Sequence, residues 1–338
     1  MKPPPPVTSA TVPLFISGRS LPAVRERLAS RVRILRRELF LDRNRTPSRA
    51  VLVLGSGRSG TTWLAETIAR QHKSRLVFEP FHPRLGVPEE SLRLFPPEDD
   101  DPAFELAVER VLSGRARSVQ IDQVLLTRLP RGRVIKDVHA SNLLPWFRAR
   151  HPGVPIVFTV RNPIATSLSR LRFTAFYGLG DYLATPGGRR EAEDSPVAGW
   201  LPLYDAHREH GEPVVRMVAE WCIENVHPLS HVGDRGMTLA FYETAVLDPA
   251  SELVRLGRFC ERALGAARRA PAEVGARQPS RTDWFGTAAD ARRSDDWRGH
   301  LDRWTREVSR PVVHDCLKVL ADFGLDRLYG DNPLPLTV

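Results

Sequence analysis

Cysteine is scarce in this chain of 338 residues: Cys222, Cys260 and Cys316 are an odd number, far apart and without a Cys-x-x-Cys pair. That excludes a disulfide framework and a thiolate zinc site, and it predicts reduced, buried thiols in a cytoplasmic protein. Long apolar runs are missing too. The longest, such as Ala50–Leu54 and Ile156–Val160, fall far short of the roughly 20 residues that a membrane-spanning helix needs. After Met1, a lysine and four prolines lead into no apolar stretch with a small-residue cleavage site, so neither export nor Golgi anchoring is expected. Acidic residues are in deficit: 40 Asp and Glu stand against 49 Lys and Arg, a net charge of +9. Such a balance favours anionic ligands, among them phosphates, sulfated groups, nucleic acid and acidic lipid.

What is present is an ordinary globular composition, 42% hydrophobic and 26% charged, long enough to bury a sizeable core. Residues 1–20 are rich in Pro, Ser and Thr and offer too little apolar surface to offset the cost of ordering. From Leu21 to Asp42, Leu28, Val32, Leu35 and Leu39 recur at helical spacing among six arginines, Arg25 to Arg37, which predicts a basic amphipathic helix. Two uses are open to it: peripheral contact with an acidic membrane surface, or packing on the domain or on a second subunit of a homodimer. The chain therefore divides into a tail and basic helix, 1–47, and a single domain, 48–338.

Within that domain Ala50–Leu54, Leu76–Phe78, Arg133–Val138, Ile156–Val160 and Met237–Tyr242 read as strands. Helical segments such as Thr62–Gln71 and Ala103–Leu112 lie between them. This alternation predicts an α/β fold, a doubly wound and mainly parallel sheet flanked by helices. The stretch Gly178–Gly199 reads as a long mobile excursion.

Gly55-Ser56-Gly57-Arg58-Ser59-Gly60-Thr61-Thr62 directly follows the first strand and opens a helix. Glycines let the backbone turn and approach an anion, and the first amides of the helix point at it. Ser59, Thr61 and Thr62 add hydroxyls. The spacing from Gly55 to Gly60 is that of a Walker A loop, but Thr61 stands where a nucleoside triphosphatase carries lysine. A kinase also needs an acidic residue at a nearby strand end to hold its metal, and Ile156–Val160 runs into Arg161 instead. The loop is P-loop-like, built for a phosphate dianion without a metal, with Arg58 supplying the positive charge.

The run Arg58 to Thr62 resembles the 5′-phosphosulfate loop of sulfotransferases that use 3′-phosphoadenosine-5′-phosphosulfate (PAPS), and Trp63 matches the adenine-stacking tryptophan of the cytosolic branch. A second stretch, Arg161 followed by Ser169 eight residues later, resembles the family's 3′-phosphate motif, in which a guanidinium binds bidentately and a serine completes the cradle. Tyr242 in Phe241-Tyr242-Glu243 is similar to the family's adenine-facing tyrosine, with a plain core tyrosine as the alternative. Arg292 and Arg293 occupy the place of its basic segment over the 3′-phosphate, although the lysine and glycines of that pattern are missing. The resemblance, strongest toward the bacterial and carbohydrate branch, implies PAPS as co-substrate and no metal. It further implies a small-molecule or glycan acceptor rather than nucleic acid.

Sulfuryl transfer needs one base and several fixed cations. Arg58 and Lys136 are candidate cations. Glu79, just after the second strand, lies where ligands of open α/β sheets bind, and Glu79-Pro80 resembles a segment of the carbohydrate 6-sulfotransferases. His139 is the rival, similar to the histidine of the cytosolic Lys-x-His pattern. It stands one residue too far from Lys136, which on a strand turns the side chain to the other face. A histidine base would lose activity below a pKa near 6.5, whereas a carboxylate base would not. His82 and His151 read as loop residues. A small-molecule kinase and a non-catalytic nucleotide-binding homologue stay open as alternatives.

Overall fold

The computed structural model describes residues 42, 44–82, 100–118, 120–172, 178–270 and 297–336. The N-terminal tail and nearly all of the basic helix, together with Arg292 and Arg293, lie outside the described residues. Five strands, β1 (Ala50–Gly55), β2 (Arg75–Phe78), β3 (Arg133–Asp137), β4 (Ile156–Val160) and β5 (Met237–Phe241), form one sheet in the order β2-β3-β1-β4-β5. All four pairings are parallel.

Side chains of a strand alternate between faces, so both faces of a parallel sheet need cover. On one face Leu52, Leu54, Ile135, Ile156 and Phe158 pack with Phe104, Phe147, Val218 and Trp221 from helices Pro102–Leu112, Leu144–Arg150 and Pro213–Ser230. On the other face Val51, Val53, Val134 and Val157 meet Leu64 and Ile68 of helix Thr61–Gln71. Leu253, Leu256 and Cys260 of helix Pro249–Leu264 close that side. The sheet is doubly wound, as the sequence predicts.

The three cysteines are buried and unpaired. No helix among the described residues is long and apolar enough to cross a membrane. Asp42 is buried against Arg133, whose Nε donates to Asp42 Oδ2 at 3.0 Å, so this part of the chain is fastened to the edge of the sheet opposite the site.

Three local readings need correction. The stretch Gly178–Gly199 carries helices Leu179–Leu183 and Pro186–Glu193, with Leu183, Ala192 and Val197 buried. The Thr185-Pro186 pair that suggests a loop is a helix start: the Thr185 hydroxyl accepts from Gly188 N at 3.0 Å, and Pro186 takes the first helical position. Strand β5 ends at Phe241, and Tyr242 opens a short helix, Tyr242–Leu247. Strand β3 ends at Asp137, so His139 lies on a turn beyond it, where a strand's alternation of faces does not apply.

Gly55 shows what fixes the sheet at its functional edge. It pairs with Thr159 across β1 and β4, and a Cβ there would stand 2.3 Å from the Thr159 carbonyl oxygen. Only glycine permits this approach. Beyond β1 the chain turns toward β2, and beyond β4 toward β5, so the crevice between their carboxyl ends is the topological switch point where open α/β sheets bind ligands.

Candidate functional site

The loop after β1 is clamped from several sides. Ser59 folds its hydroxyl back onto Ser56 O at 2.6 Å, and Asn225 donates to both Ser56 Oγ and Trp221 O. Arg170, buried and ion-paired with Glu224, donates through Nε to Gly57 O at 3.2 Å. Gly60, at φ 85°, caps helix Thr61–Gln71 and lies so close to Tyr242 that a Cβ would stand 2.3 Å from its ring. Ser59 is therefore a structural staple of the loop, while Thr61 and Thr62 open the helix whose amides face the turn.

The strand end after β4 is shaped by a cap. Asn162 accepts from Ile164 N at 3.0 Å and Ala165 N at 3.1 Å, and Pro163 takes the first position of helix Pro163–Leu171. Asn162 N donates to Glu243 Oε1 at 2.8 Å, and Tyr329 OH donates to Glu243 Oε2 at 2.9 Å. This buried glutamate locks the Arg161 turn to the end of β5, and burial pushes its carboxyl up.

With both ends fixed, the turns after β1 and β4 touch. Arg161 Nη1 donates to Arg58 O at 3.2 Å, and Arg58 Nε donates to Ser169 Oγ at 3.1 Å. The Arg161 guanidinium lies 4.6 Å from the centroid of the Tyr242 ring, a cation–π contact. Tyr242 in turn meets Trp63 edge-on at 6.3 Å. Arg161 Nε is buried and has no hydrogen-bond partner among the described residues. Arg58, Arg161, Ser169, Tyr242 and Trp63 thus converge, although they lie up to 184 positions apart by subtraction of 58 from 242.

Along the same edge, Lys136 at the end of β3 forms an ion pair with Glu79, just past β2, and its Nζ sits 4.6 Å from the Phe78 ring. Burial pushes the Glu79 carboxyl up, but the Lys136 ammonium, with His139 and His82 beside it, more than offsets this and holds it below the usual value. Burial, with His82 and Lys136 adding to it, drives His139 down to about 3 despite Glu79. Glu79 is therefore ionised and His139 a neutral imidazole throughout the neutral range, so a pKa near 6.5 does not separate the two as bases. His82, read as a loop residue, packs its ring edge-on against His139 at 4.7 Å.

One residue that the sequence reading passed over joins these turns. Asp137 Oδ1 accepts from His139 N at 2.7 Å and Ala140 N at 3.1 Å, while Oδ2 accepts from Phe81 N at 2.8 Å. It is wholly buried, and burial with the Glu79 carboxylate pushes it up to about 7. Asp137 is also the acidic strand end that a kinase would need: it pairs with Leu54 on β1, next to the phosphate loop. At the end of β4, by contrast, the chain carries Arg161 and no carboxylate. Both oxygens of Asp137 are committed to backbone amides, which leaves it a poor metal ligand.

Among the described non-glycine residues with positive φ are Arg58 (72°) and Glu79 (42°), the candidate cation and base. Backbone strain of this kind costs roughly 1–3 kcal/mol and gathers at functional sites.

No protein-family profile matches the chain, and no curated protein does. Solved structures do resemble it. A sulfotransferase domain from the curacin biosynthetic pathway is 17% identical over 81% of this chain and 96% of its own, with a TM-score of 0.43. A mouse sulfotransferase complexed with PAP is 17% identical over 83% and 86%, with a TM-score of 0.39. A sulfotransferase from Mycobacterium avium is 14% identical over 89% and 80%, with a TM-score of 0.40. At those values the likeness says nothing of chemistry, which the residues themselves must supply.

Asp137→Asn keeps the shape but turns one accepting oxygen into a donor, so at least one of the three amide bonds is lost. Denaturant unfolding should show a stability loss of about 1–3 kcal/mol. An unchanged midpoint would mean that this carboxylate does not join the two turns.

Proposed function

We propose that the chain is a sulfotransferase that moves a sulfuryl group from PAPS to a hydroxyl or amine of an acceptor and releases 3′-phosphoadenosine-5′-phosphate (PAP). The observation that carries this reading is the meeting of Arg58, Arg161 and Ser169 at the switch point, beside Tyr242 and Trp63. Two cations from two strand ends suit a nucleotide with two separate phosphates, and two aromatic rings suit its base. A buried guanidinium N–H without a partner among the described residues, Arg161 Nε, fits an oxyanion ligand, because such a donor is costly to leave unmade. Arg58, Thr61, Thr62 and the helix amides would hold the 5′-phosphate, with Arg161 and Ser169 on the 3′-phosphate and Trp63 and Tyr242 against the adenine. A carbohydrate, a glycolipid or a hydroxylated small molecule is the proposed acceptor class.

In transfer the acceptor oxygen or nitrogen bonds to sulfur, the bond from sulfur to the 5′-phosphate oxygen breaks, and the acceptor proton goes to a base. Glu79, ionised and in contact with Lys136, is assigned that role. Lys136, Arg58 and the helix amides offset the charge that gathers on the departing phosphate, as preorganised dipoles and cations do. The kinase reading is disfavoured by Thr61 in place of lysine and by the engaged oxygens of Asp137.

Arg58→Ala and Arg161→Ala should each weaken PAPS binding by roughly 1.5–3 kcal/mol, the worth of a charge-assisted contact. Arg161→Ala should hardly affect adenosine-5′-phosphosulfate, which has no 3′-phosphate, whereas Arg58→Ala should harm both ligands. Calorimetric titration that finds equal losses for both nucleotides in Arg161→Ala removes the 3′-phosphate assignment. For the base, Glu79→Gln should lower kcat by about a hundredfold to ten-thousandfold with nucleotide affinity unchanged, and His139→Ala should cost far less. Near-normal turnover by Glu79→Gln would sink the assignment.

A further inference from the structure

Glu79, His82 and His139 form a constellation that sulfuryl transfer does not require as a set. A carboxylate oxygen and two imidazole nitrogens, one atom from each residue, lie within 4.8 Å of one another. All three side chains are half-buried, so packing restrains them while a small ion can still reach them. They project from two short turns that share an anchor: Phe81 N, next to His82, and His139 N both donate to Asp137. His82 N also donates to Glu79 O at 3.2 Å, which closes the first turn. Backbone amides therefore hold together the two turns that carry the three residues, while the Glu79 carboxylate also pairs with Lys136.

We infer that Glu79, His82 and His139 bind a divalent transition-metal ion of the zinc class, in exchange for the ion pair between Lys136 and Glu79. Two imidazoles and one carboxylate are a zinc ligand set, and a tetrahedral ion with bonds of about 2.0–2.1 Å holds its ligand atoms roughly 3.3 Å apart. Rotation of side chains closes that gap without moving the turns. Magnesium and calcium prefer oxygen shells and are not suited by two imidazoles. The Lys136 ammonium, in contact with Glu79, is the built-in competitor, since a divalent ion and an ammonium repel strongly at one half-buried carboxylate. On the sulfuryl-transfer reading the ion is an inhibitor and not a cofactor, because it takes the lone pairs of both candidate bases. That consequence rests on the proposed function, and the binding does not.

The test is calorimetric titration of Zn2+ into the full chain, stripped with chelator and free of nucleotide. One ion should bind per chain. His82→Phe keeps the ring contact with His139 but has no ligating nitrogen, and it should weaken binding by more than the roughly 10–100-fold that an outer-shell change costs. Lys136→Met should tighten binding at least about tenfold, a gain that misfolding cannot imitate. Absence of saturable one-to-one binding, or equal affinity in wild type and His82→Phe, would overturn the site. In turnover assays, zinc should stop the wild type reversibly and spare His82→Phe at the same concentration, while chelation alone costs no activity. Full turnover by a zinc-saturated wild type would overturn the inhibitory consequence. A chain that binds zinc in this pattern but transfers no sulfuryl group would count against the proposed function and leave the site standing.

Discussion

The close approach of β1 and β4 is the constraint on which the rest of the site depends. Gly55 lets the strands meet where any side chain would strike the Thr159 carbonyl, and their ends then deliver Arg58 and Arg161 into one crevice. Two arginines brought together repel unless the surroundings spread or balance their charge. Here the Tyr242 ring, the Arg58 carbonyl and the Ser169 hydroxyl take part of that load. An arrangement of this kind gains most from a ligand with negative charge in two places.

Buried carboxylates do the positioning around it. Glu243 ties the Arg161 turn to the end of β5, Asp137 ties the Glu79 turn to the His139 turn, and Glu224 holds Arg170 against the phosphate loop. Each is taken out of water, and each recovers part of that cost through backbone amides or a guanidinium. Glu79, His82 and His139 stay half-buried in front of this frame. Strain in the backbone at Arg58 and Glu79 persists because the frame over-determines their place.

The sheet and the phosphate loop were legible because their signals are local: apolar runs of strand length, and glycines between a strand and a helix. Trp63 is singled out by its resemblance to a family's tryptophan, and Arg161 and Ser169 by a family motif together with their order and distance from the first loop. Asp137 and Glu243 were passed over because a buried acid next to a motif residue looks like any surface acid until its amide partners, far apart in the chain, are known. The cluster of Glu79, His82 and His139 was hidden for the same reason, since His82 and His139 lie 57 positions apart. Gly178–Gly199 reads as a loop because its Thr185-Pro186-Gly187-Gly188 run and mixed charges outweigh the signal of the Thr185 cap and Pro186 that begin a helix.

On the proposed reading, the switch-point crevice recognises a nucleotide bearing separate 3′- and 5′-phosphates. Thermal unfolding of the full chain tests it most directly, with PAP, with ATP plus magnesium, and with neither. A ligand that binds only the folded state at about 100 times its Kd adds about 2.7 kcal/mol of stability, so PAP should raise the midpoint by several degrees and ATP plus magnesium should leave it near the unliganded value. A midpoint raised by ATP plus magnesium and unmoved by PAP would contradict the account and return the chain to the metal-dependent kinases.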